Sequence, residues 1–188
     1  MDMALSTDTV SGDFDLAMDE LRVVARYVVQ HAEDVLPVFE NAVPGDPRPR
    51  GAIEASWAFI NGARRTKWQR VASLDAHRAA RTAPSEEARL AARCAGDAAS
   101  AAYLHPIAQA GQVGHILRAA ASAARIGELA AGDDPAAGNA LLERSLHRAT
   151  PALIDVLRRY PPATAGRSRV AQLMSALDRA LRQGGQTS

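Results

Sequence analysis

Apolar side chains in this chain return every three or four residues, and alanine alone makes up about a fifth of it. Together these features leave little choice of fold. Alanine has the best helix propensity, and its single methyl lets helix axes approach closely. Stretches of β-branched residues alternating with polar ones, which would mark strands, are absent. Aromatic residues are 4% of the chain, so a core must be built from many small aliphatic contacts. A length of 188 residues suffices for one sizeable core and is short for two. The pattern predicts an all-α, single-domain helical bundle of about seven to nine helices arranged as antiparallel pairs.

The boundaries follow from capping and breaking residues. Residues 1–12 are polar and short of large side chains, and are expected to be a disordered tail. The helical domain is expected over 13–183, with 184–188 as a frayed end. A first helix is predicted from Asp13–Asp15 to Val43, with Pro37 kinking it or dividing it near His31–Asp34. Asp46 with Pro47 reads as the cap and first turn of a second helix, which closes at Asn61-Gly62. A third runs from about Arg64 to Thr82. Ser85 opens a fourth, reaching about Leu104, with Glu86 and Glu87 at its positive end. A fifth, about Gly111 to Ala131, is apolar nearly all round and belongs in the middle of the domain. Asp134-Pro135 and Thr150-Pro151 start the next two segments, and the last helix spans about Arg167 to Leu181.

Charge narrows the function classes. There are 22 basic and 21 acidic residues, a formal net charge of +1, and Lys67 is the only lysine. No global field draws the chain to nucleic acid, so no nucleic-acid partner is expected. No run of about 18 apolar residues exists, so no membrane partner is expected either, and a soluble cytoplasmic protein is the default. Cys94 is alone, which excludes an internal disulfide and a thiolate metal site. The five histidines, His31, His77, His105, His115 and His147, form no HExxH motif and no i, i+4 pair. With no glycine-rich phosphate loop as well, no metal or cofactor is expected.

Two carboxylates stand out on helical wheels, because Asp75 and Asp97 both project from faces otherwise apolar. A buried carboxylate must be paired, hydrogen-bonded or protonated. One reading is a polar pocket between the third and fourth helices, with His105 and His115 joining Asp75 and Asp97 for acid–base chemistry or ligand capture. The other is an Asp–Arg pair that holds two alanine-rich helices in register. The segment Arg64-Arg65-Thr66-Lys67-Trp68 is basic and aromatic, but Trp68 opens an apolar stripe with Ala72, Ala76 and Ala79. Trp57 and Trp68 are therefore both expected in the core. Arg48, Arg50, Arg64, Arg65 and His77 are the candidates for contact with a partner.

At DPRPRGAIEASWAFINGARR, LDAHRAAR and AARCAGDAASAAYLHP the chain resembles a family of bacterial, largely actinobacterial, immunity proteins. Their domain is similar to the fifth immunity class of polymorphic toxin systems. The resemblance continues through QVGHILRAAASAARIGELAAGDDP and LRRYPPA, from about Leu21 to Arg182. Asp97 stands where the family pattern is expected to carry histidine. The resemblance implies an all-helical cytoplasmic protein, monomer or homodimer, that binds and neutralises a cognate toxin by stoichiometric protein–protein contact. It brings no catalytic residues with it. The competing expectation is a small helical enzyme or ligand-binding protein built on the polar pocket.

Overall fold

The structure, a computed structural model, describes residues 9–184. Eight α-helices follow a short hairpin among these residues: α1 (Met18–Ala42), α2 (Arg48–Ile60), α3 (Lys67–Thr82), α4 (Glu86–Ser100), α5 (Val113–Ala130), α6 (Pro135–Arg148), α7 (Pro151–Arg158) and α8 (Arg169–Gly184). The all-α bundle expected from alanine content and apolar spacing is what forms.

The hairpin is the departure. Strands β1 (Thr9–Ser11) and β2 (Asp15–Ala17) pair antiparallel with Val10 opposite Leu16. Residues 9–12 are thus not the expected tail, while 1–8 lie outside the described residues. Leu16 is fully buried, and Phe14 meets Tyr160 edge-on at 5.0 Å. The Asp13 N–H donates to the Pro106 carbonyl at 2.8 Å and the Asp13 carboxylate accepts from the Ala108 N–H at 2.7 Å. Composition concealed this strand, because two apolar anchors and one acid dock it onto the loop after α4.

Helix starts obey the capping chemistry. Side chains of Thr66, Ser85, Asp134 and Thr150 each accept a backbone N–H from the first turn of their helices. Such caps contribute on the order of 1 kcal/mol apiece. Asp46 sits one residue further out than expected, with Pro47 at the cap, yet its carboxylate still accepts the Arg48 N–H at 3.1 Å. The expected division of the first helix does not occur, and α1 runs unbroken through Pro37. Its buried face, from Leu21 to Phe39, continues on both sides of the proline, and packing holds the backbone helical despite the missing donor.

The central elements are α4 and α5. Helix α4 packs against α1, α2, α3 and α5; α5 packs against α1, α4, α6 and α8. Ala88, Ala91, Ala92, Ala95, Ala98 and Ala99 of α4 are fully buried, so its four neighbouring helices come close. The expectation that α5 lies in the middle holds, with Ile116, Leu117 and Ala120 buried on one side and Ile126 on another.

Buried carboxylates bolt the far side together. Glu128 of α5, 1% exposed, accepts from Arg169 of α8 at 3.0 and 2.5 Å and from Arg125 at 2.9 Å. Gly138 of α6 leaves room for it, since a Cβ there would lie 2.4 Å from its Oε1. Asp178 accepts from Arg182 at 2.8 Å and from the Ala163 N–H at 2.9 Å, closing the loop between α7 and α8.

Candidate functional site

The helix on which the candidates converge, α3, is turned differently from the sequence expectation. Ala72, Ala76 and Ala79 are buried as expected, but Gln69, Ser73 and Ala80 share their face. Trp68 does not; it is 47% exposed. The reason is the closeness of α4. Ser73 Oγ donates to the Gly96 carbonyl at 2.8 Å, and the His77 ring lies so near Gly96 that a Cβ there would fall 2.7 Å from Nε2. A gap of that width admits alanine, serine and glycine but no indole. Gln69 is drawn inward by hydrogen bonds to the Thr66 N–H and the Ala55 carbonyl, at 3.0 and 3.1 Å.

Trp57 is half-buried rather than in the core. Its Nε1–H donates to Glu33 at 2.7 Å and the Arg26 guanidinium lies over its ring at 5.5 Å.

Of the two carboxylates expected to face inward, one does. Asp97 is 1% exposed and receives a bidentate grip from Arg118 of α5, Nε to Oδ2 at 2.9 Å and Nη2 to Oδ1 at 2.6 Å. His77 Nε2 stands 3.8 Å from Oδ1. Burial holds the His77 imidazole below its usual pKa, and the Asp97 charge opposes that only in part. His115 is also held low, by burial first and by the Arg118 charge second. It lies near enough for the charges of Asp97, His105 and His77 to act on it.

Asp75 is elsewhere. It is partly exposed and pairs with Arg78 at 2.7 Å on the outer side of α3. A pocket holding both aspartates is therefore not formed, because the turn of α3 that buries Ser73 carries Asp75 outward. His105 is exposed, and its carbonyl accepts the Tyr160 hydroxyl at 3.1 Å.

The other candidates divide into committed and open side chains. Arg48 is bound to Asp46 and Arg50 to Glu40, each at 2.6 Å. Arg65 donates to the Ala102 carbonyl at 3.1 Å and lies over Tyr103. Arg64 is exposed, without a hydrogen bond or ion pair among the described residues, beside a groove shared with Met18, Arg22 and Phe59.

Sequence reasoning missed an exposed apolar feature on α3. Trp68, Val71 and Leu74, exposed by 47, 48 and 50%, are the exposed large hydrophobic residues among those described. All three stand on α3 at steps of three residues. At the end of this ridge an open cleft of about 510 Å³ is lined by His77, Ala80, Arg81, Arg89 and Arg93. A second cleft, about 280 Å³ between α4, α5 and α8, shares Arg89 and Arg93 and adds Arg118 and Arg169. The i+3 spacing of the ridge was the available signal; placing Trp68 at the centre of the inward face obscured it.

Among the described residues no three His, Cys, Asp or Glu side chains group where they would hold a metal ion. No helix there is long and apolar enough to cross a membrane.

Fold and site together define an all-helical protein with alanine-packed central helices, arginine-closed buried acids and one helix open to contact. The chain belongs to the family described as Imm-5 like putative immunity protein, which matches residues 16–140. The match runs from β2 into α6 and includes the whole of α3 and α4. No curated protein and no solved structure matches the chain.

Proposed function

We propose that this chain is the immunity partner of a protein toxin, which it binds and neutralises in the cytoplasm by stoichiometric contact, with no reaction of its own. Membership of the immunity family carries the proposal. The state of Asp97 supports it against the competing enzyme. A carboxylate serving as general acid or base needs a free oxygen facing substrate, whereas both oxygens of Asp97 are taken by Arg118 and Asp75 is paired with Arg78 on the outer side of α3. Of the residues first put forward as facing a partner, Arg64 and His77 keep that role in the proposal. Arg48, Arg50 and Arg65 serve the fold by their internal bonds.

The test is co-expression with the toxin encoded beside this chain. Growth is restored and a complex of fixed stoichiometry elutes on gel filtration if the proposal is right. Continued growth arrest with no complex contradicts it.

A further inference from the structure

Three exposed apolar residues scattered over a surface need no explanation, but three in register on one helix form a patch. Each step of three residues turns the side chain back by about 60° around the helix axis. The ridge Trp68–Val71–Leu74 therefore slants across the outer face of α3 and arrives, one further step on, at His77 and the cleft beside it.

The charge around the ridge is one-sided. Helix α3 carries Lys67, Arg70, Arg78 and Arg81 against the single acid Asp75, although the whole chain has a net charge of only +1. Asp75 is already paired with Arg78. Arg81 and Arg93 have no hydrogen bond or ion pair among the described residues, and Arg89 has only a 4.0 Å approach to Glu86. No acidic side chain lines the cleft these three arginines share. Unpaired guanidiniums beside exposed apolar side chains are the composition of a protein-binding hot spot awaiting carboxylates.

We infer that the outer faces of α3 and α4 dock an acidic protein surface. Apolar residues of the partner cover Trp68, Val71 and Leu74, and Asp or Glu side chains beside them enter the Arg81–Arg89–Arg93 cleft. The inference rests on the immunity reading for the partner's identity and adds the chemistry of its contacting face. Protein is favoured over nucleic acid by the ridge. Val71 and Leu74 have no face on which a base stacks, so aliphatic side chains of a protein suit them better than a nucleic acid does.

The experiment is calorimetric titration of the full-length chain with the neighbouring toxin, inactivated at its catalytic site. Wild type binds, and its affinity falls about tenfold or more as salt is raised. Arg81→Glu/Arg93→Glu weakens binding by about 100-fold, and Leu74→Asp by a comparable factor. Arg179→Glu, an exposed change on α8, leaves it within about twofold. Circular dichroism melts of all variants stay at the wild-type temperature, because the altered side chains are exposed. In the ¹⁵N-labelled protein the Trp68 indole resonance shifts on binding and the Trp57 indole does not.

Undiminished binding by both the charge-reversal and Leu74→Asp variants overturns the inference while leaving the immunity reading intact. Absence of wild-type binding overturns the immunity reading itself, and the docking inference with it. Arginine-dependent binding of a DNA or RNA 20-mer, in place of the toxin, overturns the acidic-protein assignment.

Discussion

Around Glu128 and around His77 the protein gathers similar materials, arginines from several helices beside a buried acid, and uses them in opposite ways. At Glu128 the carboxylate is held by Arg169 and Arg125, and Arg125 also reaches Asp133. Each guanidinium there has a partner within the chain. Beside His77 the buried acid, Asp97, is satisfied by Arg118 alone, which leaves Arg81, Arg89 and Arg93 facing solvent. The first arrangement spends its charges on holding α5, α6 and α8 together. The second leaves charges available, next to the exposed ridge of α3. An arginine count says nothing about which is which; the number of carboxylates within reach decides it.

That contrast can be attacked from its strongest side first. Replacing Glu128 by alanine takes the carboxylate from Arg169, while Arg125 keeps Asp133, and is expected to cost about 2–4 kcal/mol in urea unfolding. Asp97→Ala falls in the same range, since Arg118 loses its only partner. A loss under about 1 kcal/mol for either would show that these pairs do not hold the helices.

Next comes acid sensitivity, from a third place. His31 of α1 is 3% exposed, bonded through Nδ1 to the Tyr27 carbonyl at 2.8 Å and through Nε2 to Ser145 Oγ at 3.0 Å. A carbonyl only accepts, so Nδ1 carries the proton and Nε2 is the acceptor. Burial lowers its pKa from 6.5 to about 4, opposed by the hydrogen bond to the Tyr27 carbonyl and by Asp34 and helped by the charges of Arg148 and Arg144. Between these values the unfolded chain binds a proton that the folded one refuses. Stability is full above pH 6.5 and falls by roughly 3 kcal/mol as the pH drops to about 4. Glu128 and Glu20, held below the ordinary 4.5 by Arg169 and Arg159, begin to lose their contribution once the pH falls below 4.5. His31→Gln should flatten the upper window alone, and an unchanged slope there would remove His31 as its cause.

Gly138→Ala is a smaller probe of the closed side. The new methyl would press on Glu128 and is expected to cost about 2 kcal/mol. Least of all, Trp68→Ser on the open side should alter stability by no more than about 0.5 kcal/mol. A large loss would mean that Trp68 packs where it stands exposed.

How much of this was legible in the sequence differs between the two regions. Helix ends at Ser85, Asp134 and Thr150 could be read residue by residue, because capping is local chemistry. The burial of Asp97 was legible from its apolar neighbours on α4, and its pairing with an arginine was one of two open readings. Arg118 as the partner was not legible, since 21 positions separate the two and many arginines compete. The turn of α3 was misread because alanine marks an inward face weakly, and the large Trp68 was given more weight than the small Ser73. Only the closeness of Gly96 decides between them, and that is a property of the neighbouring helix.

The central claim is that the closed side holds the fold and the open side meets the partner. Amide hydrogen exchange on the chain alone and in complex with the inactivated toxin tests it most directly. The account predicts slowed exchange concentrated in α3 and the first two turns of α4, residues 67–93, with α5, α6 and α8 unchanged. Protection centred on α6 and α8, with α3 exchanging as it does in the free protein, would contradict it.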